Sequence, residues 1–462
     1  MKLGAVVLAA GLGTRMRSRR PKVLHLLAGR PMIAWVLDAL AGAGAGHTVV
    51  VIGRGAEEVA ASLPPGVATA LQAEQLGTGH AAQVGLAALD PACDAVLIAN
   101  GDLPLMTVEL VRALVDEHSR AGRAATLLTA RLDDPGPYGR VLRGADGLVE
   151  RVVEARDAGP RELAIDEVNG GLYVFSRRAL EDALAGLGRD NAQGEVYLPD
   201  ALALLAPAAA LAAPDPQATL GINTRVELAV CERLLQERLR RELMIGGVTM
   251  PDPAGVYLEA GVRVGEDTVL WPGTHLRGAT EIGAACEIGP DVVMTDSRVG
   301  DGSTVVSAHV LASEIGDGCR VGPFAYLRPG CRLEAGARAG TYVELKNASL
   351  GRDARVPHLS YVGDASIGED TNIGAGNITA NYDGFQKHRT EIGAGVKTGS
   401  DCVFVAPVRV GDGAMTGAGS IITHDVPAGA LGIARARQTV VEGYAEKAAA
   451  RAAARAADGE SA

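Results

Sequence analysis

Aromatic residues are scarce in this chain of 462 residues. Tryptophan, tyrosine and phenylalanine make up 3% of the sequence, whereas glycine occurs 60 times. This composition argues against a single core built on aromatic side chains, and it predicts that part of the chain packs small residues in a tightly turning backbone. Because 47% of the residues are hydrophobic and the chain is too long for one core, we expect two or three domains.

Paired cysteines, long apolar runs and an excess of positive charge are also lacking. None of the six cysteines forms a Cys-x-x-Cys pair, which argues against structural zinc and indicates reduced thiols. No run approaches the roughly 18 apolar residues of a membrane span, and Gly11 and Gly13 break the first apolar stretch before any cleavage-like site. The net charge of −11 argues against nucleic-acid binding. We therefore expect a cytoplasmic protein without nucleic-acid partners or membrane insertion.

Residues 1–224 alternate short aliphatic runs with longer segments of helical periodicity. Strands are predicted at 5–10, 48–53 and 95–99, and helices at 32–43, 56–63 and 108–121. This alternation predicts an α/β domain with an open, mostly parallel sheet covered on both faces. Residues 225–245 are rich in Glu, Arg and Leu and contain no Gly or Pro, which predicts a helical linker arm.

From Val264 onward an aliphatic residue recurs every six positions, with short slips, as far as Ile422. One stretch of this repeat runs through Val299, Val305 and Leu311. A six-residue period that continues for about 160 residues fits neither an amphipathic helix nor a hairpin, and it predicts a parallel β-helix over 246–440, followed by a tail at 441–462. Residues 381–389 interrupt the period and predict a projecting loop, which is either functional or a tolerated surface insertion.

The segment after the first predicted strand, LAAGLGTRM to PK at 8–22, combines glycines with cations. Gly11 and Gly13 open a tight turn whose N–H groups can cap phosphate oxygens, while Arg15 and Lys22 supply positive charge. The pattern matches neither the Walker loop nor the dinucleotide fingerprint. It predicts a polyphosphate site. The alternative is an ordinary strand-to-helix turn with solvated arginines.

A polyphosphate site of this kind calls for a metal and a base-recognition group nearby. Asp102 follows a predicted strand in NGDLPL, and Mg²⁺ prefers carboxylate and phosphate oxygens. Asn223 in GINTR could supply a second oxygen. Gln72, Gly77 and Thr78 in LQAEQLGTGHA offer an amide and a close backbone approach for a nucleotide base.

Several further motifs follow in order along nearly the whole chain: PYGR (137–140), NAQGE (191–195), LRPG (327–330), NIGAG (372–376) and NYDG (381–384). Together with LAAGLGTRM and LQAEQLGTGHA they make the chain resemble the sugar-nucleotide pyrophosphorylases, specifically the bacterial bifunctional N-acetylglucosamine-1-phosphate uridyltransferase/glucosamine-1-phosphate N-acetyltransferases. The resemblance implies a Rossmann-like nucleotidyltransferase domain followed by a left-handed parallel β-helix of hexapeptide repeats. It also implies an enzyme that acetylates glucosamine 1-phosphate with acetyl-CoA and then transfers UMP from UTP. The product would be UDP-N-acetylglucosamine for cell-envelope polysaccharides.

For the first half, the resemblance implies that Arg15 and Lys22 act in catalysis and that Asp102 and Asn223 hold Mg²⁺. The residues implied to bind UTP or UDP-N-acetylglucosamine are Leu8, Ala9, Ala10, Gly11, Gly13, Arg15, Lys22, Gln72, Gly77, Thr78, Gly139, Glu154, Asn169 and Asn223, with Gln72 and Thr78 on the uracil and Gly139, Glu154 and Asn169 on the sugar phosphate.

Two positions depart from the family pattern. Asn100 stands where the family usually has an aromatic residue before Gly-Asp, and Gly170 replaces the usual hydroxyl-bearing residue after Asn169. These departures bear on the sugar contacts more than on the metal contacts.

In the second half, an amine that attacks a thioester must lose a proton, so the site needs a base, and histidine is the usual base near neutral pH. The resemblance selects His358 in PHLSYVGD, whereas His275, His309, His388 and His424 fit ordinary surface or core positions. The residues implied to bind the acceptor sugar phosphate are Arg328, Lys346, Tyr361, Asn372 and Lys387. Those implied to bind acetyl-CoA are Ala375, Asn381, Tyr382, Ser400, Ala418 and Arg435. The resemblance also implies a homotrimer with sites between subunits.

Two other interpretations stay open on the sequence alone. The β-helix could be a passive oligomerisation scaffold beside a nucleotidyltransferase, or the chain could be a regulatory binding protein that kept both folds without catalysis. A scaffold needs neither the loop from Asn381 nor His358, and the presence of Arg15, Lys22 and Asp102 argues against a purely regulatory protein.

Overall fold

The computed structural model describes residues 1–11 and 13–457, which form two compact units. The first unit comprises Met1–Ile245 with Tyr257–Val262. The second comprises Gly246–Val256 and the described residues from Arg263 onward. Residues 458–462 of the predicted tail lie outside the described part of the chain.

The first unit is built on a sheet flanked by helices. Its strands are β1 (Leu3–Leu8), β2 (Leu26–Leu27), β3 (Arg30–Pro31), β4 (His47–Ile52), β5 (Ala68–Leu71), β6 (Ala95–Asn100), β7 (Ala125–Arg131), β8 (Arg140–Arg143), β9 (Val149–Val153), β10 (Glu167–Ser176) and β11 (Ala209–Ala212). Its helices are α1 (Met32–Gly42), α2 (Ala56–Ser62), α3 (Thr78–Ala88), α4 (Val108–Ala121), α5 (Pro160–Leu163), α6 (Arg177–Ala185), α7 (Asp200–Leu204) and α8 (Arg225–Ile245). Short 3₁₀ turns occur at Thr14–Met16, Lys22–Leu24 and Pro216–Thr219.

The main sheet has the order β11-β7-β10-β6-β1-β4-β5, and β8 and β9 are attached through β10. β1 pairs in parallel with β4 and β6, which confirms the predicted α/β architecture. The sheet is nevertheless mixed, because β10 runs antiparallel to both β6 and β7. The register of β10 shifts between Asn169 and Tyr173, at the Gly170-Gly171 pair. Such a bulge re-aims the side chains on either side of it.

The strands read as continuous apolar runs because both faces of the sheet are buried. In β1, Ala5 and Val7 pack with α1 and α4 on one face, while Val6 packs with α3 and α6 on the other. Burying one such aliphatic side chain contributes about 1.5–3 kcal/mol. Helix α8, predicted as an arm, packs Cys231 and Leu235 into an apolar cluster of the first unit.

The second unit is a parallel β-helix, as the six-residue period predicts. Ile282 pairs with Val299, and Val299 with Ile315, so the chain returns to one face after 17 and 16 residues. One face holds Thr274–Arg277, Val293–Thr295, Ala308–Leu311, Ala325–Leu327, Glu344–Lys346, Tyr361–Gly363, Ile378–Ala380, Val403–Val405 and Ile421–Ile422. The second holds Arg263–Val264, Glu281–Ile282, Arg298–Val299, Glu314–Ile315, Arg332–Leu333, Ser349–Leu350, Ala365–Ile367, Thr390–Ile392 and Val408–Val410. The third holds Val269–Leu270, Glu287–Ile288, Thr304–Val305, Arg320–Val321, Arg338–Thr341 and Arg355–His358, with Met415–Thr416 and Leu431–Gly432 paired further along.

The remaining elements of the chain are the 3₁₀ turn Pro253–Gly255, the strand Val256–Leu258 and a helix at Tyr444–Ala457. Among residues 1–11 and 13–457, no helix combines the length and apolar character that crossing a membrane requires.

Two irregularities of the coil bear on the predictions. Val310, not the predicted Leu311, occupies the buried stack between Met294 and Leu327, because the segment from Val305 to the next buried position is one residue shorter than the period. Ile367 pairs with Ile392, 25 positions later, so residues 381–389 are extra to the coil. They fold back on themselves through a Tyr382–Lys387 bridge and form the predicted loop.

Candidate functional site

A cavity of about 460 Å³ opens in the first unit at the carboxyl ends of β1 and β6. Ligands bind at this edge of the sheet in open α/β folds. The loop after β1, the start of α3 and the segment before α8 form its walls. The cavity brings together twelve of the predicted residues, namely Leu8, Ala9, Ala10, Gly11, Gly13, Arg15, Lys22, Gln72, Gly77, Thr78, Asp102 and Asn223.

Two glycines shape the walls of this cavity. Gly13 has a φ of 60°, and a Cβ there would lie 2.9 Å from the Cβ of Lys22. Gly77 has a φ of 111°, and a Cβ there would lie 2.5 Å from the carbonyl oxygen of Val196. A larger residue at either position would therefore force the loop away from its neighbour. Gly13 in this way brings the loop after β1 against Lys22.

The two predicted metal ligands, Asp102 and Asn223, both contact the ammonium group of Lys22. The Lys22 ammonium donates to Asp102 Oδ2 at 2.5 Å and to Asn223 Oδ1 at 3.1 Å. The backbone N–H of Ile222 donates to the carbonyl of Asp102, which places the two oxygen ligands side by side. Glu227 accepts from the N–H groups of Asn223 and Thr224 and fixes the segment before α8. One carboxylate and one amide oxygen converging on a cation fit Mg²⁺, which is commonly held by few protein ligands besides phosphate.

The predicted base-recognition residues are held in place from within the first unit. Gln72 is buried, and its amide nitrogen donates to the carbonyl of Gly77 at 3.1 Å and lies 3.1 Å from His80 Nδ1. The Thr78 hydroxyl accepts from the N–H of Leu198 at 3.0 Å. These bonds fix the orientation of both side chains in the cavity wall.

The three predicted sugar residues form a group outside the lining of this cavity. The N–H of Asn169 donates to the carbonyl of Gly139 at 2.9 Å, and a Cβ on Gly139 would lie 3.3 Å from Glu154 Oε1. Glu154 instead lines a second cavity of about 520 Å³ with Asp157 and Asp200. Burial and the two neighbouring carboxylates raise the pKa of Glu154.

Six residues not predicted for the site also line the cavity at the carboxyl ends of β1 and β6: Thr14, Val23, Gln75, Ala81, Asn100 and Glu195. Asn100 ends β6, and its amide nitrogen lies 2.7 Å from where a Cβ on Gly171 would be. Asn100 therefore links the cavity to the β10 bulge beside Asn169. Asn100 could have been found because it stands where the family usually has an aromatic residue. Glu195 could have been found because it belongs to the NAQGE motif.

In the second unit the structure brings four of the predicted acceptor residues together. The charges of Arg328, Lys346 and Lys387 act on one another, and Tyr361 lies close enough to interact with Arg328 and Lys346. The pKa of Lys387 is lowered, chiefly by the neighbouring Lys346 ammonium, which disfavours a second positive charge beside it. A cluster of three cations on one small surface favours an anionic group such as a phosphate.

Asp364, which sequence reasoning missed, organises this cluster. Its carboxylate accepts from Asn381 Nδ2 at 2.5 Å and from Asn347 Nδ2 at 2.8 Å, and it lies 3.7 Å from Lys346 Nζ. Burial alone would raise the pKa of Asp364, but these hydrogen bonds and the nearby ammonium groups outweigh it and lower the pKa. Asp364 thereby ties the base of the projecting loop to a cationic side chain.

His358 begins a column of small residues along one corner of the coil. The positions are His358, Ala375, Ser400 and Ala418, one on each successive coil. Their order follows from backbone hydrogen bonds that run from Gly376 to His358, from Asp401 to Ala375 and from Gly419 to Ser400, at 3.3, 2.8 and 2.8 Å. Ala375 is half-buried and the other three are exposed. The column forms a narrow strip without bulky side chains that leads away from the imidazole.

The other predicted residues of this half lie outside that column. Asn372, which lies three positions before Ala375 in the chain, forms parallel β-bridges with Arg355 and with Lys397. Tyr382 is in the loop, where its hydroxyl donates to the carbonyl of Gly384. Arg435 is exposed and follows the last of the coils that carry the column.

The remaining histidines of the second unit each interact with other neighbours or are partly buried. His309 packs edge-on against Tyr326, His388 contacts Asp383 at 2.7 Å, and His424 contacts the Thr423 hydroxyl. Burial lowers the pKa of His275. The His358 imidazole, by contrast, makes no hydrogen bond to any residue that the structure describes, so both ring nitrogens are available to a substrate.

Comparison with known proteins covers almost the full chain. Residues 5–199 match the family model of MobA-like NTP transferase domains. The chain is 48% identical to the bifunctional protein GlmU of Heliobacterium modesticaldum over 447 residues, which is 96% of this chain and 98% of that protein. It is 48% identical to the protein of the same name from Streptomyces avermitilis, covering 95% of this chain and 93% of that one. The corresponding protein of Mycolicibacterium gilvum is 49% identical, with 95% and 91% covered.

Proposed function

The chain belongs to the bifunctional GlmU family, and we propose that its first unit carries the uridyltransferase site and its second unit the acetyltransferase site. The protein is a bifunctional enzyme that acetylates glucosamine 1-phosphate with acetyl-CoA and transfers UMP from UTP to N-acetylglucosamine 1-phosphate. It uses Mg²⁺ with UTP. The proposal assigns these reactions to particular residues, and the observation that carries it is the column of small residues leading away from His358. We further propose the boundaries 1–224, 225–245, 246–440 and 441–462 for the two domains, the linker helix and the tail.

In the uridylyl transfer, the phosphate oxygen of the acceptor is already ionised, so no general base is needed. It attacks the α-phosphorus of UTP, and pyrophosphate leaves. Catalysis then reduces to alignment and charge neutralisation. We assign Gly11 and Gly13 to the phosphates, Arg15 and Lys22 to charge neutralisation, and the buried Gln72 with Thr78 to the uracil. The group formed by Gly139, Glu154 and Asn169 is assigned to the sugar.

Asp102 and Asn223 are the residues that would hold Mg²⁺ in this cavity. When bound, the ion supplies positive charge to phosphate oxygens as negative charge shifts to the leaving pyrophosphate. The segment before α8 contributes by fixing Asn223 through Glu227.

In the acetyl transfer, the amine of glucosamine 1-phosphate attacks the thioester carbonyl of acetyl-CoA. The new bond is C–N, the bond that breaks is C–S, and CoA leaves. We assign the proton lost by the amine to His358, whose imidazole has no hydrogen-bond partner among the described residues. The phosphate of the acceptor is assigned to Arg328, Lys346 and Lys387, with Tyr361 and Asn372 beside it. Acetyl-CoA is assigned to Ala375, Ser400 and Ala418, with Asn381, Tyr382 and Arg435 at the sides.

A coupled assay separates this proposal from a passive β-helix and from a non-catalytic regulator. The protein is incubated with glucosamine 1-phosphate, acetyl-CoA, UTP and Mg²⁺. We expect release of both CoA and pyrophosphate. Pyrophosphate released only when N-acetylglucosamine 1-phosphate is supplied would support a scaffold, and release of neither would support a regulator.

We infer that the enzyme is a homotrimer. Phe324, Tyr342 and Leu359 follow one another at one corner on three successive coils, and all three are exposed. Phe324 and Tyr342 stack with ring centroids 5.1 Å apart. An apolar ridge of this kind, next to His358, fits a surface that another copy of the chain covers.

Sedimentation equilibrium tests the trimer. We expect a mass three times that of the 47.3 kDa chain, because covering the ridge removes apolar surface from water. The variant Phe324→Asp is expected to shift the equilibrium toward smaller species, whereas Val226→Asp, at an exposed position on α8, serves as the control. A wild-type monomer with full acetyl transfer contradicts both the trimer and the idea that the site needs it.

Filling the column of small residues tests the acetyl-CoA assignment. Ala418→Trp is expected to raise the KM for acetyl-CoA by about tenfold or more, because the indole occupies space that the substrate needs, at a cost of at least about 1.4 kcal/mol. The matched control is Ala335→Trp, at an exposed alanine outside the column. Equal KM values in both variants, measured by initial rates, would remove the column from acetyl-CoA binding.

We also propose that the protein acts in the cytoplasm. All six cysteines are unpaired and buried, which is the pattern of a protein in a reducing compartment.

A further inference from the structure

The Lys22 ammonium is bonded to both oxygens that we assign to the metal. It lies 2.5 Å from Asp102 Oδ2 and 3.1 Å from Asn223 Oδ1, and the Lys22 and Asp102 side chains are only 16% and 15% exposed. We propose that Lys22 is an exchangeable placeholder cation: it pairs with the metal-binding oxygens in the nucleotide-free protein and gives them up to Mg²⁺ as the nucleotide enters. This inference rests on the proposed assignment of Asp102 and Asn223 to the metal.

Charge explains why a placeholder is useful at this position. A carboxylate that is largely withdrawn from water and left unpaired is costly. The ammonium removes that cost without a metal. Mg²⁺ arriving alone would have to displace the ammonium and then lie beside it, and Asp102 and Glu195 are the only acidic residues among the described residues that line the cavity. Free metal should therefore bind weakly.

The nucleotide changes this balance. Its triphosphate brings several negative charges into the cavity, so the displaced ammonium gains a phosphate partner and the metal gains phosphate oxygens. Binding of nucleotide and binding of metal must then strengthen each other by the same factor, because linkage is reciprocal. Lys22 in this way acts as a positioning residue for the metal site as well as a cation for phosphate.

The geometry allows the exchange without movement of the backbone. Lys22 begins the 3₁₀ turn Lys22–Leu24, where its carbonyl accepts from the N–H of His25, and Gly13 packs against its Cβ. The backbone is thus fixed, and the exchange needs only a change in the side-chain dihedral angles of Lys22 within the cavity that it lines. Arg15 lines the same cavity but forms no ion pair with a described residue, so it offers a matched control for the loss of one positive charge.

The test measures Mn²⁺ binding to the full-length protein without nucleotide, by the electron paramagnetic resonance signal of free Mn²⁺. We expect Lys22→Met to bind Mn²⁺ about tenfold more tightly than the wild type, whereas Arg15→Met changes the affinity less than about threefold. Adding Asp102→Asn to Lys22→Met should abolish the tight site. Lys22→Gln, which keeps a donor but loses the charge, provides a second variant if Lys22→Met does not fold.

The outcomes distinguish a failure of the Lys22 exchange from a failure of the metal assignment. Equal Mn²⁺ affinity in the wild type and both Lys22 variants, at a site that Asp102→Asn abolishes, would overturn the exchange and leave the metal assignment standing. Tight Mn²⁺ binding that persists in the Asp102→Asn double variant, or no binding in any variant, would overturn the metal assignment and the exchange together.

Discussion

The variant His358→Ala is expected to release CoA from acetyl-CoA about a thousandfold more slowly than the wild type and to release pyrophosphate from UTP at the wild-type rate. A positioned general base contributes roughly 10²–10⁴-fold to a rate, and His358 is the histidine at the head of the column of small residues. The uridylyl reaction has no use for a base, because its nucleophile is an ionised phosphate oxygen. CoA is measured with a thiol reagent and pyrophosphate with a coupled phosphate assay.

The matched control for His358 is His424→Ala, since His424 is also exposed on the second unit and its side chain hydrogen-bonds only with Thr423 among the residues described. This control should retain both activities. Loss of both activities in His358→Ala would mean that the two sites are not independent, and retention of CoA release would require another base.

The second large effect is expected for Arg15→Ala, which should lower uridylyl transfer by about 100-fold or more. That ratio corresponds to about 3 kcal/mol of transition-state stabilisation. Arg15 lines the cavity at the end of β1, to which we assign the UTP phosphates, and negative charge shifts toward pyrophosphate during phosphoryl transfer. Steady-state pyrophosphate release with saturating N-acetylglucosamine 1-phosphate is the measurement, and CoA release should be unchanged.

Arg19→Ala is the control for Arg15→Ala, because Arg19 is exposed on the same segment and does not line the cavity. Near-normal turnover in Arg15→Ala would remove this guanidinium from the mechanism. A comparable loss in Arg19→Ala would point to a general effect of surface charge instead of a specific contact.

The elements were predictable wherever a local pattern determines them. Helix α4 has the predicted bounds because its apolar positions recur with helical spacing, the Thr107 hydroxyl accepts from Leu110 N–H at its start and Gly122 ends it. The repeat of the second unit was visible because each coil stacks an aliphatic residue on the one before. Val310 was missed because a shortened segment changes which residue faces inward without changing the composition.

Pairings between segments that are distant in the chain were harder to predict from the sequence. Nothing in the residues of β10 specifies that it runs antiparallel between β6 and β7, because that direction depends on where the preceding chain ends. The role of Asp364 was hidden for the same reason: its partners Asn347 and Asn381 are each 17 residues away and reach it only after the coil has formed.

The residues that line the cavity at the carboxyl ends of β1 and β6, in contrast, were largely predicted from the sequence to lie together. Gly11, Gly13, Arg15 and Lys22 belong to one loop, and the parallel strands bring Asp102 to the same edge. The separation of Glu154 into a second cavity could not be predicted, since it depends on how β8 and β9 attach to the sheet.

The corner that carries His358 also has a fixed spacing between its successive positions. Neighbouring strands in a sheet lie about 4.8 Å apart, so the three steps from His358 to Ala418 span roughly 14 Å. Distance along this corner can change only in whole turns of the coil, because a fraction of a turn would move every buried aliphatic residue out of its stack. In the proposed acetyl-CoA site, the length of the strip beside the imidazole is therefore set by the number of coils, and single substitutions can alter its width but not its length.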